Sequence, residues 1–364
     1  MFPFIIIFLL ATLLINSVLY WRFRPLLPKG LICSLLLGVV FLVFILTPML
    51  PRLLALPDEW DEVLLIIGYG WLGFSMLAFI CAVVTFILQL LTRLFISARY
   101  GKATKFFAAL CLILSLSAAA HSFYSARNPQ VETLDIFTSK LKPGEIVRVM
   151  QVSDMHLQGV DSYKHMEATL KLVQEAGPDL LVITGDFVDG RKIVPDAWAR
   201  PWAALPMPKF AVLGNHERLG ANFETHMEFM GKCGFIVLRN RGVYVKDDFY
   251  VAGVDDPIFN IQIDEKTIWP HNYKASFNLL LKHRPDVDYE SAAMFDLQLS
   301  GHTHGGQIYP GYWLTKMAHP MNEGLYQLAS GSRLYVSRGA GTWGAPMRFL
   351  ADPQVTLINI MGRP

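Results

Sequence analysis

The chain has 364 residues, 53% of them hydrophobic and only 17% charged, with a mean hydropathy of +0.35. Soluble enzymes rarely carry such an excess, and it is uneven, lying almost entirely before residue 125. A formal net charge of +2 at pH 7 offers no basic patch, so nucleic acid is excluded as an expected partner.

Four long apolar runs come first, at roughly 2–21, 30–50, 63–91 and 106–124. Each reaches the ~20 residues needed to cross a ~30 Å hydrocarbon core. None contains Asp, Glu, Lys or Arg, and their polar residues are few, Asn16 and Gln89 among them. The first run has no Lys or Arg ahead of Arg22 to form the basic n-region of a signal peptide, so it reads as a retained helix. Arg22, Arg24 and Lys29 flank the first connection, and Arg93, Arg99, Lys102 and Lys105 the third. The second sets Arg52 against Asp58, Glu59, Asp61 and Glu62. The positive-inside rule then places loops one and three in the cytoplasm and both chain ends outside. With no intramembrane charge to mark an ion path, residues 1–125 read as a four-helix transmembrane anchor, not a transporter. The expected location is the cell (inner) membrane, multi-pass, with the rest of the chain extracytoplasmic.

Three cysteines (Cys33, Cys81, Cys111) lie in this front region and Cys233 stands alone behind it, which rules out a disulfide within the back section. Residues 125–130 read as a linker. From about residue 131 short β-rich runs alternate with amphipathic stretches, so 126–364 reads as an α/β domain. The run 145–152 ends in Ser153-Asp154, 179–183 in Thr184-Gly185-Asp186, and 209–213 in Gly214-Asn215-His216. Residues 277–281 lead into Lys282-His283, and 295–299 into Ser300-Gly301-His302. Between the first two, Met166, Leu170 and Val173 form a helical stripe. Five apolar strands thus run straight into polar residues, and in α/β sheets such strand ends gather on one edge. Further runs near Val251, at 334–336 and at 355–360 suffice for two packed sheets.

Carboxylates neutralise a metal's charge, and imidazoles suit transition metals. Asp154 and His156 stand two apart, which on a strand puts both on one side, and His302 and His304 repeat the spacing. Asp186 is a natural bridge between two ions, Asn215 offers a neutral carbonyl oxygen, and His283 completes seven donors.

In order, Asp154-Met155-His156, Gly185-Asp186 with Asp189, Gly214-Asn215-His216-Glu217, the lone His283 and Gly301-His302-Thr303-His304 resemble the motifs of the calcineurin-like metallophosphoesterases. The resemblance covers roughly residues 130–364. Gly253-Val254-Asp255-Asp256-Pro257, His304-Gly305-Gly306-Gln307-Ile308 and Ser337-Arg338-Gly339-Ala340-Gly341 are similar to its bacterial membrane-attached members. It implies a four-layer α/β sandwich and two divalent ions (Mn, Fe or Zn). Asp154, His156, Asp186 and His304 would hold one ion, and Asp186, Asn215, His283 and His302 the other. His216 would stabilise the transition state or protonate the leaving oxygen, Asp189 would orient a ligand or its loop, and Glu217 has no direct role.

His121, His165, His226, His271 and His319 read as ordinary histidines, and Arg191 and Arg338 as surface or structural cations rather than phosphate contacts. The aromatic stretch Tyr309, Tyr312, Trp313 and, later, Trp343 reads equally as packing under a loop or as a lip in the bilayer interface. Only 68 positions separate Asn215 from His283, which leaves no room for a large cap and points to an open cleft. The expected function is hydrolysis of a phosphodiester or pyrophosphate in a phosphate-ester substrate, lipid-linked or from the envelope, with membrane lipids as partners of the helices. Two alternatives stand beside it: a cytoplasm-facing pyrophosphatase of a nucleotide-linked lipid precursor, and a non-catalytic membrane receptor or scaffold.

Overall fold

A computed structural model describes residues 2–50, 58–95, 100–189, 193–219, 222–261 and 263–363. Arg52, Arg99 and Arg191 lie outside the described residues. The chain divides into two units, residues 1–124 with 343–349, and residues 125–342 with 350–364.

The first unit holds α1 (Phe2–Phe23), α2 (Leu31–Leu46), α3 (Asp58–Phe95) and most of α4 (Tyr100–Ala126). Among the described residues, two stretches, Val63–Leu94 and Ala103–Ala126, are long and apolar enough to cross a membrane. The 16 residues of α2 fall short. At about 1.5 Å per residue they rise roughly 24 Å. The expected second run of 30–50 is cut back because Gly30 starts the helix late and Pro48, within the turn Thr47–Met49, cannot continue it. Leu19, Phe23, Phe41, Ala78, Ala82 and Cys111 form the interior of this unit. Two of its buried polar side chains bond across helices: Asn16 Oδ1 accepts from Trp71 Nε1 (3.0 Å) and Ser75 Oγ (3.3 Å), and Gln89 Oε1 accepts from Arg22 (2.7 Å). Residues 343–349 belong here too. The Arg348 N–H donates to the Ser122 carbonyl (3.0 Å), and Phe349 lies edge-on to His121.

The expected linker at 125–130 shrinks to residues 127–129, because α4 continues to Ala126 and Gln130 already opens a strand. The second unit contains two six-stranded sheets. In chain order the strands are β1 (Gln130–Thr138), β2 (Ile146–Val152), β3 (Leu180–Thr184), β4 (Lys209–Val212), β5 (Ile236–Val237) and β6 (Arg241–Lys246). They continue with β7 (Phe249–Val254), β8 (Phe277–Lys282), β9 (Leu297–Ser300), β10 (Gly324–Gln327), β11 (Arg333–Val336) and β12 (Gln354–Gly362). One sheet runs β1-β12-β2-β3-β4-β5 and the other β10-β11-β9-β8-β7-β6. β2 to β5 are mutually parallel, as are β7, β8, β9 and β11, so each sheet has a parallel centre.

Central parallel strands are covered on both faces, which is why β3 is apolar from Leu180 to Ile183 and β8 from Leu279 to Leu281. Alternate residues divide between the faces. Val149, Leu180, Val182 and Phe210 meet Val251, Phe277, Leu279, Leu281 and Leu299 between the sheets. Met150, Leu181, Ile183 and Ala211 face the other way, onto Met166, Leu170 and Val173 of α5 (Gly159–Ala176) and onto Trp202, Phe229 and Met230. Each fully buried Leu or Ile contributes about 1.5–3 kcal/mol of transfer free energy. The far face of the second sheet is covered by short turns, Glu265–Ile268 and Tyr273–Ala275, with Ile268, Trp269 and Phe295 packed against Leu280 and Leu334. The fourth layer is therefore irregular chain rather than helix. The parallel centres bring the carboxyl ends of β2, β3, β4, β8 and β9 to one edge.

Candidate metal centre

All seven expected donors meet at that edge, in two groups that share Asp186. In one, Asp154 Oδ1 lies 3.5 Å from His304 Nε2, which lies 3.1 Å from His156 Nε2, and His156 Nε2 is 3.8 Å from Asp186 Oδ2. In the other, His283 Nε2 is 3.3 Å from Asp186 Oδ2 and 3.1 Å from both Asn215 Oδ1 and His302 Nδ1.

The convergence does not come from strand pleating, as the spacing of two suggested. Asp154 and His156 lie beyond the end of β2, and His302 and His304 beyond β9, in turns. Five of the seven donors have left-handed backbone: Asp154 (φ 53°), His156 (48°), Asp186 (50°), His302 (72°) and His304 (52°). Such conformations cost on the order of 1–3 kcal/mol each and persist only where the surroundings impose them. Gly185 (φ 90°) lets the β3 turn pass His283, since a Cβ there would strike the imidazole ring.

Three neighbours fix these turns. Ser153 Oγ donates to Asp154 Oδ2 (2.6 Å), and the His302 N–H to both Asp154 oxygens (3.1 Å each). Glu217 bonds to the backbone of two of these turns. Its buried carboxylate accepts the N–H groups of Asp186 (3.1 Å), Phe187 (2.6 Å), Val188 (3.2 Å) and Gly214 (2.7 Å), which clamps the β3 turn to the β4 turn. Asp189 reaches His216 instead of a donor, with 3.5 Å between Oδ1 and Nδ1, and the His216 ring stands edge-on to His156 at 4.5 Å.

Electrostatics set the protonation of the cluster. Burial works against charge on His283, but Asp186 and then Asp154 outweigh it and push the imidazole up to about 10. Burial would likewise raise Asp186, yet His283 and His156 hold it well below the usual carboxylate range. Burial lifts Asp154 to about 6 against the pull of His283. His156 is pushed down to about 4 and His302 to about 3, each chiefly by burial, so both imidazoles are neutral and keep a lone pair. For His216 burial is again the largest influence and lowers it, but Asp189 and Asp186 together win and raise it. Burial and the adjacent Asp186 bring Glu217 up to about 7, opposed by its backbone donors.

These residues fit divalent metal. Three overlapping groups, Asp154/His156/His304, His156/Asp186/His216 and Asp186/His283/His302, have donor atoms within 4.8 Å of one another. Imidazole nitrogens face one another at 3.1 Å, where at most one can carry a proton. The Thr184 carbonyl sits 2.9 Å from His283 Nδ1 and takes that N–H, leaving Nε2 turned toward Asp186 and Asn215. Buried carboxylates beside neutral imidazoles are stable only with a proton or a cation among them.

Other expectations resolve individually. Arg338 is tied to Glu132 (3.1 Å) and the Asp352 carbonyl (3.2 Å), in keeping with a structural role. In the 253–257 motif, Asp256 binds Arg284 through two contacts (2.7 and 3.1 Å) and Asp255 binds Arg239 (2.8 Å). The stretch between Asn215 and His283 forms β5, β6, β7 and short helices. His319, read as ordinary, packs edge-on to His302 with ring centroids 5.1 Å apart, and its Nδ1 lies 3.8 Å from Asp286 Oδ1. No sequence signal marks it, because it stands outside every motif.

Residues 147–306 match the calcineurin-like phosphoesterase family. An uncharacterized metallophosphoesterase of Aquifex aeolicus (strain VF5) is 36% identical over 261 residues, which cover 69% of this chain and 99% of that protein. The uncharacterized metallophosphoesterase YkuE of Bacillus subtilis (strain 168) is 31% identical over 230 residues, 58% of this chain and 78% of that protein. A Bos taurus protein described as a transmembrane protein with metallophosphoesterase domain is 27% identical over 269 residues, 66% of this chain and 59% of its own length.

Proposed function

This chain belongs to the calcineurin-like metallophosphoesterases, and on that premise we propose that it is a membrane-anchored phosphoesterase that cleaves phosphodiester or pyrophosphate bonds with two divalent ions. The observation that carries this reading is the meeting of seven oxygen and nitrogen donors, from five strand ends, around the shared Asp186. Residues 1–125 serve as the anchor, with four spans, and residues 126–364 as the catalytic domain on the extracytoplasmic face. Two apolar helices of membrane-crossing length support the anchor. The substrate in this reading is a lipid-linked or envelope phosphoester.

Asp154, His156, Asp186 and His304 would hold one ion, and Asp186, Asn215, His283 and His302 the other, with Mn, Fe and Zn all compatible with mixed O/N donors. Such ions supply Lewis-acid stabilisation of charge on phosphoryl oxygens and acidify water toward neutral pH. His216 contributes the proton. Its imidazole faces the group that contains His156, and Asp189 on its other side favours the charged form that can protonate a leaving oxygen. Glu217 positions the Asp186 turn without touching substrate.

The test is turnover of an aryl phosphodiester by the full-length protein with added Mn²⁺, beside Asp186→Ala and His216→Ala, with bound metal counted in each. Activity that vanishes with Asp186 and falls sharply without His216, while His216→Ala keeps its metal, supports the reading. A folded, metal-loaded chain that turns over neither diesters nor pyrophosphates overturns it.

A further inference from the structure

Helix α6 (Gly311–Ala318) begins seven positions after His304 and presents a face with no buried residue. Trp313, Leu314 and Met317 are 54%, 69% and 82% exposed, and Tyr309 lies beside them. Isolated exposed apolar residues are ordinary, but four within nine positions beside a candidate active site form a patch that calls for an occupant. The polar tips are arranged at its edge. Trp313 Nε1 donates to Tyr309 Oη (2.9 Å), and the Lys316 ammonium lies over the Tyr312 ring and 3.2 Å from its hydroxyl. Residues 305–322 include Lys316 and His319 and no Asp or Glu.

The helix is fastened to the candidate metal centre at both ends. Before it, the turn at Gly306 packs so closely on the first helical residues that a Cβ there would strike the Tyr312 backbone. After it, the His319 N–H donates to the Thr315 carbonyl (2.7 Å), and the ring meets His302 edge-on.

We propose that α6 is an interfacial docking helix. Its Trp313, Leu314 and Met317 enter the headgroup boundary of an anionic phospholipid bilayer, and its attachments to His302 and His304 seat the centre against the phosphates of that surface. What the centre does to a phosphate there rests on the phosphoesterase reading; the docking does not. A bilayer suits this patch because Trp and Tyr are amphipathic residues of membrane interfaces and the exposed Lys316 on the same helix complements anionic headgroups. Eight residues alone bind a bilayer weakly. A chain that also carries helices of membrane-crossing length holds the patch at high local concentration near lipid, so weak contact is enough.

The test uses the full-length protein in mixed phosphatidylcholine–phosphatidylglycerol vesicles. A bimane label goes on Leu314→Cys or, as a reference, on the exposed Tyr289→Cys. The native cysteines are buried or half-buried, and labelled wild type supplies the background. Spin-labelled lipid quenches the Leu314 label, and iodide quenches it about fivefold less than the reference, as an apolar face sunk ~5–10 Å into the interface requires. Lys316→Glu lowers lipid quenching in these vesicles and not in pure phosphatidylcholine. Equal iodide quenching at both sites overturns the proposal. So does shielding at Leu314 without lipid quenching, which means that a protein partner or a second copy covers the face. Aryl diester turnover in the same vesicles reports separately on the phosphoesterase reading.

Discussion

The helical unit and the catalytic unit handle buried polarity in opposite ways. In the helical unit large apolar side chains such as Leu31, Ile32, Leu35 and Ile113 are exposed, and the buried polar side chains are small or uncharged, Asn16, Ser75 and Gln89 among them. Asn16 answers Trp71 and Ser75, and Gln89 answers Arg22. In the other unit apolar side chains fill the spaces between layers, while two carboxylates, Asp154 and Asp186, and five imidazoles crowd one sheet edge. The first arrangement keeps ionisable groups out of the helical interior, and the second gathers the donor set of a cation site. This contrast separates the helical unit from the candidate metal centre, and each prediction below probes one side of it.

The largest effect belongs to the shared carboxylate. Asp186→Ala leaves both donor groups incomplete, so activity falls on the order of 10³-fold or more, because both ions lose the ligand that placed them to stabilise transition-state charge. Bound metal, counted by elemental mass spectrometry, drops in the same sample. Retention of two ions with full turnover would break the claim that Asp186 joins the groups. Next comes His216→Ala. It lowers kcat by ~10²–10⁴-fold with metal content and KM little changed, as expected for a proton donor rather than a ligand. Asp189→Asn acts through His216, costs about tenfold, and shifts the acid–base limb of the pH profile.

The pH dependence of metal binding follows from the same crowding. His283 stays protonated up to about 10 without metal, so at neutral pH an incoming ion must displace that proton. Affinity therefore falls as pH drops below about 10, by roughly tenfold per unit for each proton displaced. It falls more steeply below about 6, where Asp154 must lose a proton too. Calorimetric titrations in buffers of different ionisation enthalpy read the protons released, and a pH-independent affinity would remove the argument that the site is built around a missing cation.

Much of this edge is legible in sequence because the strands that carry the donors are buried on both faces and so are rich in apolar residues, β3 most plainly. β1, β6 and β10 sit at or next to sheet edges with mixed burial, which blurs the pattern, and the two residues of β5 are too few to show one. The donors themselves are legible as motifs, but the left-handed turns that aim them are not, since a spacing of two reads as pleating. Glu217 and His319 escape for a different reason. Their contacts join turns distant in sequence, Glu217 to residues 186–188 and His319 to His302, and no local pattern encodes that. The length of α2 was readable in principle from Pro48, whereas the membership of residues 343–349 in the helical unit depends wholly on tertiary packing.

The smallest predicted effect tests the helical side of the comparison. Asn16→Leu removes the acceptor for Trp71 Nε1 and Ser75 Oγ while keeping the side-chain volume close. In a membrane interior such interhelical bonds contribute only ~0.6–1.7 kcal/mol, because the separated helices find other partners for the same groups. Unfolding of the full-length protein in mixed micelles should show a loss of that size, and aryl diester turnover per folded molecule should not change. A loss several times larger would mean that Asn16 belongs to a buried network as demanding as the one around Asp186. The helical unit would then carry a polar site of its own, and its description as an inert anchor would have to be abandoned.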